Sequence, residues 1–362
     1  MKNSYGWQLY HWHLEPSSKC SLRCPRCPRT EMPDTPWLQK EISLAEFKHA
    51  FPADFIAEHV QRFTMCGDVG DPIYCKDYLK IVEYIKSIKP TCHVYTITNG
   101  SYKTEAWWQQ FAEASNEYDT VNFSVDGYDQ DSNDLYRVNN NFDSIMLGMH
   151  TMGHTSSAFV NWAAIYFKFN ENNLDKIERL ARQNGCDSIQ WTKSTKFSSK
   201  YNGAYGEDLL EPSAEYISKT DRYERSIQRL TNRIQNTDQY MRTNLHKYQS
   251  ARTTDTLTPL CLVGNRGMFV NAEGTVHPCS WTSFPYKEMS FGDKTSKYED
   301  SFFQKYRHIL NVKNGLTMEQ VLNHELWSKF FDSMNNDTWV ECSLKCRTSV
   351  VDHDYAVGYE TN

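Results

Sequence analysis

Six alternations of strand and helix within about 190 residues predict an α/β fold with a parallel sheet covered by helices. Two observations support that class. Short β-rich runs end repeatedly at turn residues, and amphipathic helical stretches follow them. Six such units make an open, partial (β/α)6 barrel rather than the full eight-stranded form. From Leu257 the texture changes to short strands, turns and cysteines, which predicts a small α+β domain with a β-hairpin behind the barrel.

Residues 7–15 (WQLYHWHLE) read as the first strand, ending at Pro16. A cysteine-rich loop follows, and Ser43 with Glu46 three positions later forms a capping box for the next helix. Residues 61–66 read as strand two, and Tyr78, Ile81, Val82 and Ile85 mark one face of a helix. Residues 92–98 form strand three, stopped by Asn99-Gly100, and Thr104 caps a helix carrying Trp107, Trp108 and Phe111. Strand four lies near 119–125, a helix near 142–152, strand five near 158–167 and a helix near 171–184. Gly185 suits the C-terminal stop of that helix, and strand six covers 186–192. Residues 193–208 are polar and read as a linker. Residues 213–250 read as a long polar helix or helix pair, with Ile227, Leu230, Ile234, Met241 and Leu245 on one packing face. The organisation expected is a core over 1–195, a linker and helical segment over 196–255, and a cysteine-bearing domain over 256–362.

A net charge of −6 gives no basic footprint for nucleic acid. No apolar run approaches the roughly 18 residues of a membrane span, and the N-terminus lacks the apolar core of a signal peptide. These features imply a cytoplasmic, reducing location. There the 11 cysteines suggest metal ligands more than disulfides, and their odd count excludes full pairing. Cys75, Cys92 and Cys186 read as buried small hydrophobes, while Cys66 sits beside the candidate site.

Cys20, Cys24 and Cys27 form C-x3-C-x2-C. Three thiolates on a short loop suit three irons of a four-iron cluster and leave the fourth iron open to another ligand. Zinc is the competing reading, with His13 as the fourth ligand that a closed tetrahedron requires. The placement favours chemistry, because the loop follows the first strand at its carboxyl end, where such folds carry their sites.

On these residues the chain resembles the radical S-adenosylmethionine (radical SAM) superfamily, in which this triplet follows strand one. The resemblance implies a 4Fe-4S cluster on Cys20, Cys24 and Cys27 with S-adenosylmethionine on its open iron. The residue before the third cysteine is usually aromatic and packs on the adenine; here it is Arg26, whose guanidinium could stack instead. The run from Cys66 to Pro72 resembles the superfamily's glycine–glycine–acid motif, with Gly70, Asp71 and Pro72 at its centre, against a plain turn as the alternative. The stretch from Ser124 through Asp126 to Gly127 closes strand four, and Arg137 follows. In the resembling subfamily a serine and an arginine so placed contact the cofactor carboxylate, for which an arginine fork is suited. Asn99, at the end of strand three, borders the same pocket. His11, His13, Trp191 and Lys193 occupy strand positions that could face the cavity, with core packing or solvent the better reading of each.

A second set, Cys261, Cys279, Cys342 and Cys346, begins with C-x12-G-x4-C around Gly274, and the intervening segment reads as a hairpin turning at 271–274. Four thiolates suit a structural zinc or a fully ligated cluster. The opening spacing resembles the SPASM and twitch extensions of radical SAM enzymes. A full SPASM domain carries about seven cysteines in those relatives; four imply a twitch domain with one auxiliary 4Fe-4S cluster. The closing C-x3-C is one residue longer than the expected C-x2-C.

The function implied is reductive cleavage of S-adenosylmethionine to a 5′-deoxyadenosyl radical, which abstracts a hydrogen atom from a substrate. The outcome would be oxidation or modification of a small polar molecule or a peptide, with electrons from a donor such as flavodoxin or ferredoxin. The alternative is a non-catalytic zinc or iron–sulfur binding module.

Overall fold

The computed structural model describes residues 11–31, 39–194, 197, 208–223, 268–283 and 302–336. Strands β1 (His11–Leu14), β2 (Arg62–Met65), β3 (His93–Thr98), β4 (Thr120–Ser124), β5 (Phe159–Ile165) and β6 (Ser188–Thr192) pair in parallel and in sequence order. Parallel pairing demands a long crossover between consecutive strands. The crossovers carry α1 (Pro28–Glu31), α2 (Leu44–Ala50), α3 (Ala53–His59), α4 (Tyr78–Ile88), α5 (Glu105–Ala114), α6 (Gln130–Asp134), α7 (Phe142–Thr155) and α8 (Leu174–Gln183). The six-unit α/β core expected above is therefore present.

Several local expectations hold for the reasons given. Ser43 and Glu46 close a reciprocal capping box, Thr104 accepts from Trp107 N, and Gly185 stands at φ +73° after α8. Tyr78, Ile81, Val82 and Ile85 are all buried on one face of α4. Cys75, Cys92 and Cys186 are buried too.

Two expectations need correction. Residues 219–222 are not helical. They form β7 (Lys219–Arg222), antiparallel to β6, because alternate residues of this polar segment can satisfy the sheet edge. The hairpin of β8 (Phe269–Val270) and β9 (Val276–His277) turns at 271–274 as expected, with Gly274 at φ +87°, but it does not stand apart. β8 pairs in parallel with β1, so the hairpin extends the barrel sheet to the order β7-β6-β5-β4-β3-β2-β1-β8-β9. The remainder of the expected 224–250 helix lies outside the described residues.

Alternation along the strands separates two faces. One packs on the helices: Phe63 meets Phe47 of α2, Phe123 meets Trp108 of α5, and Tyr78 of α4 bonds Thr96. The other, inner face carries His11, His13, Arg62, Thr64, His93 and Tyr95 on β1–β3 and Asn122, Ser124, Asn161, Ser188, Gln190 and Thr192 on β4–β6. An inner wall this polar departs from the Val, Ile and Leu layers that fill closed barrels. Trp191, by contrast, is on the helix-side face, fully buried and stacked on Tyr166.

At the amino ends of the strands, carboxylates serve stability. Asp119 accepts from Val94 N and Asn116 N and pairs with Lys86, and Asp187 accepts from Val160 N. Among the described residues no helix is long and apolar enough to cross a membrane. Close helix packing at Gly148 of α7 supplies a test. A Cβ there would stand 2.3 Å from the Trp108 ring of α5. Gly148→Ala is expected to cost about 2 kcal/mol of stability by overpacking, read as a lower midpoint in thermal unfolding.

Candidate active site

The site is assembled by the loops leaving the carboxyl ends of β1 to β5. After β1 the chain is held extended: Ser18 exchanges hydrogen bonds with Lys40, and Arg29 donates back to Ser18 O. Arg23 N donates to Val138 O and Asn139 Nδ2 to Ser21 O, so the cysteine loop is pinned to the segment following α6. Cys24 belongs to one apolar cluster with Leu22, Tyr136, Phe167 and Phe197, and Cys20 and Cys27 pack against it.

Hydrogen-bond donors point at the sulfurs. Leu22 N lies 3.4 Å and Asn99 Nδ2 3.6 Å from Cys20 Sγ. Burial, then the charge of Asp71, pushes the Cys20 thiol strongly upward. Burial pushes Cys24 up to about 11, although the Arg137 guanidinium opposes it. Thiols so placed ionise only when a cation compensates them, which fits metal ligation. Among the described residues no three His, Cys, Asp or Glu side chains converge on a point suited to a single ion. A four-iron cluster spreads its thiolates over separate irons and needs no such point. The zinc reading required His13, but His13 Nε2 donates to Cys66 O at 2.9 Å and its ring packs edge-on against Phe269. His13 is thus a wall residue and completes no tetrahedron with the triad.

The loop after β2 lies directly on the cysteine loop. A Cβ on Gly70 would stand 1.8 Å from Ser17 O, and one on Gly67 2.8 Å from a Glu15 carboxylate oxygen. These glycines therefore serve close approach of backbone to protein. Asp71 N donates to Lys19 O, tightening the same contact. The Asp71 carboxylate is filled by its own chain. Thr98 Oγ1 donates at 2.8 Å, Asn99 N at 2.6 Å, Asn99 Nδ2 at 2.5 Å and Ile73 N at 3.2 Å. Burial raises this carboxyl to about 6, with those donors opposing the rise. Pro72 begins a one-turn helix that sets Tyr74, whose hydroxyl meets Ser21 Oγ and Ser101 O. Asp71 thus acts on Cys20 through Asn99, and the expected site residues Gly70, Asp71, Pro72 and Asn99 do come together.

Ser124, the last residue of β4, faces the inner cavity and is half-buried. Asp126 is fully buried; its Oδ1 accepts from Ile165 N at 2.7 Å and its Oδ2 from Arg137 Nε at 2.6 Å. Burial works against the Arg137 charge, but Asp126 and Cys24 more than offset it, so its pKa stands above the ordinary value. Asp126 is therefore a support for Arg137, whose fork faces Cys24 with Nε already engaged. Arg26 departs from its expected adenine-stacking role. It pairs with Asp208, both side chains nearly buried, and lies 5.4 Å from the Phe197 ring centre. Asp208 and Phe197, both within the segment read as a linker, thus contact the cysteine loop at Arg26. Cys279 is half-buried beyond the hairpin, and nearby Ser283 donates to Asp68 of the loop after β2 at 2.9 Å. Cys261, Cys342 and Cys346 lie outside the described residues.

Glu15 carries no signal of its own in the sequence beyond that of a strand terminus. It is 1% exposed, and its carboxylate accepts from Val69 N, Gly70 N and Ala272 N. A lone acid ahead of a proline, at an inward-facing strand position, was the available hint.

Residues 14–155 match the family described as the radical SAM superfamily. That match runs from the end of β1 through α7 and includes the triad and its supports. Over residues 14–155 the chain is therefore similar to a radical SAM core. The chain is 29% identical over 146 residues to a GTP 3′,8-cyclase of Mannheimia succiniciproducens, spanning 40% of that relative's length and 39% of its own. Among solved structures it resembles a polyhistidine-tagged anSMEcpe with bound AdoMet at 15% identity and a TM-score of 0.50, over 89% of this chain and 79% of that one. Native anSMEcpe with bound AdoMet gives the same identity and TM-score over 94% and 89%. These likenesses support the radical SAM partial barrel with added C-terminal strands.

Glu15 supplies a test in the metal-free chain. Burial, then Asp68, raises its carboxyl from 4.5 to about 7, against the three backbone N–H groups. The folded state therefore keeps a proton that the unfolded chain has lost. This contribution is full below about pH 4.5 and disappears as pH rises through 7. Glu15→Gln should flatten that part of the stability–pH curve, measured by thermal unfolding between about pH 4.5 and 8.

Proposed function

We propose that this chain binds a 4Fe-4S cluster on Cys20, Cys24 and Cys27 and cleaves S-adenosylmethionine reductively to start radical chemistry on a small polar substrate. The observation that carries this reading is three thiols gathered in one apolar cluster, Cys24 buried and Cys20 and Cys27 half-buried, with two nitrogen donors at Cys20 Sγ. When bound, the cluster and S-adenosylmethionine supply a 5′-deoxyadenosyl radical able to take a hydrogen atom from an unreactive C–H bond. The protein positions and shields. Asp71 and Asn99 fix the Cys20 side of the loop, Asp126 orients Arg137 toward Cys24, and Tyr136, Phe167 and Phe197 exclude water. In this reading Ser124 and the remaining nitrogens of Arg137 hold the cofactor carboxylate, and Gly70 carbonyl oxygen accepts from its ammonium.

The inner wall favours a small polar substrate. Asn161 Nδ2 donates to Asn122 Oδ1, and Ser188 Oγ donates to Asn161 Oδ1, forming an uncharged ladder below Ser124, Gln190 and Thr192. Uncharged amides and hydroxyls meet a ligand hydroxyl as donor or as acceptor. The name of the GTP 3′,8-cyclase relative also points to a small, hydroxylated molecule. A peptide substrate is the second reading, and a flavodoxin or ferredoxin would supply the electron. Cys279 with Cys261, Cys342 and Cys346 would hold one auxiliary 4Fe-4S cluster in a twitch-type domain.

Anaerobic incubation of reconstituted enzyme with S-adenosylmethionine, reductant and fractionated cell extract tests the reading, with substrate loss followed by mass spectrometry. Cys20→Ala, Cys24→Ala and Cys27→Ala should each abolish 5′-deoxyadenosine; an unchanged yield in any of them refutes the assignment. Two clusters correspond to about eight iron and eight sulfide per chain. Replacing Cys261, Cys279, Cys342 and Cys346 together by Ala should halve the iron and lower thermal stability, while leaving uncoupled cofactor cleavage. Full iron in that variant would show that the second set binds no cluster.

A further inference from the structure

Glu15 is a buried carboxylate whose two oxygens serve different parts of the chain. Oε1 accepts from Val69 N at 3.0 Å and Gly70 N at 3.1 Å, both in the loop after β2. Oε2 accepts from Ala272 N at 3.3 Å, in the turn between β8 and β9. Glu15 N also donates to Val270 O at 2.8 Å, continuing the β1–β8 pairing. An apolar residue here would strand three buried N–H groups, each costly to leave unmade. A second link runs in parallel from Ser283 to Asp68. From Gly70 the contacts continue in order: Asp71 follows it, Asp71 holds Asn99, and Asn99 reaches Cys20 Sγ.

We propose that Glu15 is a positioning residue through which the C-terminal hairpin holds the Gly67–Asp71 loop in register for S-adenosylmethionine. This rests on the reading above that the loop borders the cofactor. The hairpin immediately precedes Cys279, so the Glu15 carboxylate, alongside the Ser283–Asp68 bond, sets the segment leading to Cys279 against the cofactor loop. A change in the hairpin is felt at Gly70 without contact between the hairpin and the triad.

Two substitutions cut the same link from opposite sides. Glu15→Gln keeps an oxygen for Val69 N and Gly70 N but turns an amide nitrogen toward Ala272 N. Ala272→Pro removes only the hairpin's donor. Asn271 O accepts from Gly274 N at 2.8 Å, so Ala272 is the second residue of this turn, a position that favours proline. In the reconstituted full chain, each variant should raise KM for S-adenosylmethionine about fivefold, with kcat for uncoupled 5′-deoxyadenosine formation within about twofold. The double variant should be no worse than either single one, since both remove one interaction. Independently of activity, hydrogen exchange of the peptide spanning 66–72 should quicken about tenfold or more in Ala272→Pro. Unchanged exchange in a folded Ala272→Pro chain, or additive KM effects, would overturn the coupling. If the wild type forms no 5′-deoxyadenosine, the radical SAM activity fails, while the exchange measurement still decides the role of Glu15.

Discussion

The Asp71 carboxylate is the contact on which the site depends. It is buried, and it collects Thr98, two groups of Asn99 and Ile73, joining the ends of β2 and β3. Parallel strands deliver their loops to one end of a sheet but do not by themselves fix those loops together. A buried carboxylate does so only when its donors are complete, since each missing donor leaves an expensive charge. Asp126 repeats the device one strand further on, gripping β5 through Ile165 N and Arg137 through Nε. Glu15 repeats it at the end of β1. The cavity is thus framed by acids that bind protein, and the groups left facing inward are sulfurs, amides, hydroxyls, imidazoles and the guanidinium groups of Arg62 and Arg137.

The fold was legible because its signals are local. A capping box at Ser43 and Glu46, a buried face on α4 and a left-handed Gly185 each follow from a few neighbouring residues. The six-strand order follows once the alternation of elements is recognised. What stayed illegible depends on contacts between distant segments. Residues 219–222 pair with β6 across the intervening segment, and nothing in their polar composition distinguishes an edge strand from a surface helix. The joining of β8 to β1 likewise links segments far apart in the chain, so the hairpin could be foreseen but its docking could not.

The site divides the same way. The triad and the loop after β2 were legible as motifs, whereas the duties within them were not. Asp71 looked like a ligand for the cofactor and is spent on Thr98 and Asn99. Arg26 looked like a stacking partner for adenine and is held by Asp208, a residue 182 positions away. Gly70 leaves room for the backbone of Ser17 and Ser18. In each case the residue type was informative about chemistry, and the partner was chosen by the fold.

The electrostatics around the three sulfurs are uneven, and that bears on how the loop works. Cys20 sits beside Asp71, which opposes its ionisation, whereas Cys24 faces Arg137, which promotes it. A trio of bare thiolates would be strained by burial and by mutual repulsion, so the metal-free loop favours neutral thiols. On the reading proposed above, a cluster bound here would release protons from these thiols, and its affinity would fall as acidity rises. The Arg137 guanidinium opposes the upward shift at Cys24, whereas the Asp71 carboxylate adds to it at Cys20. Asn99 eases the conflict on the Cys20 side. One of its amide protons answers Asp71 while the same nitrogen approaches Cys20 Sγ, so that a donor stands between two groups that would otherwise repel. Asn99 thus offsets part of the repulsion between the carboxylate that organises the loop and the Cys20 sulfur, which Asp71 still holds toward the neutral thiol.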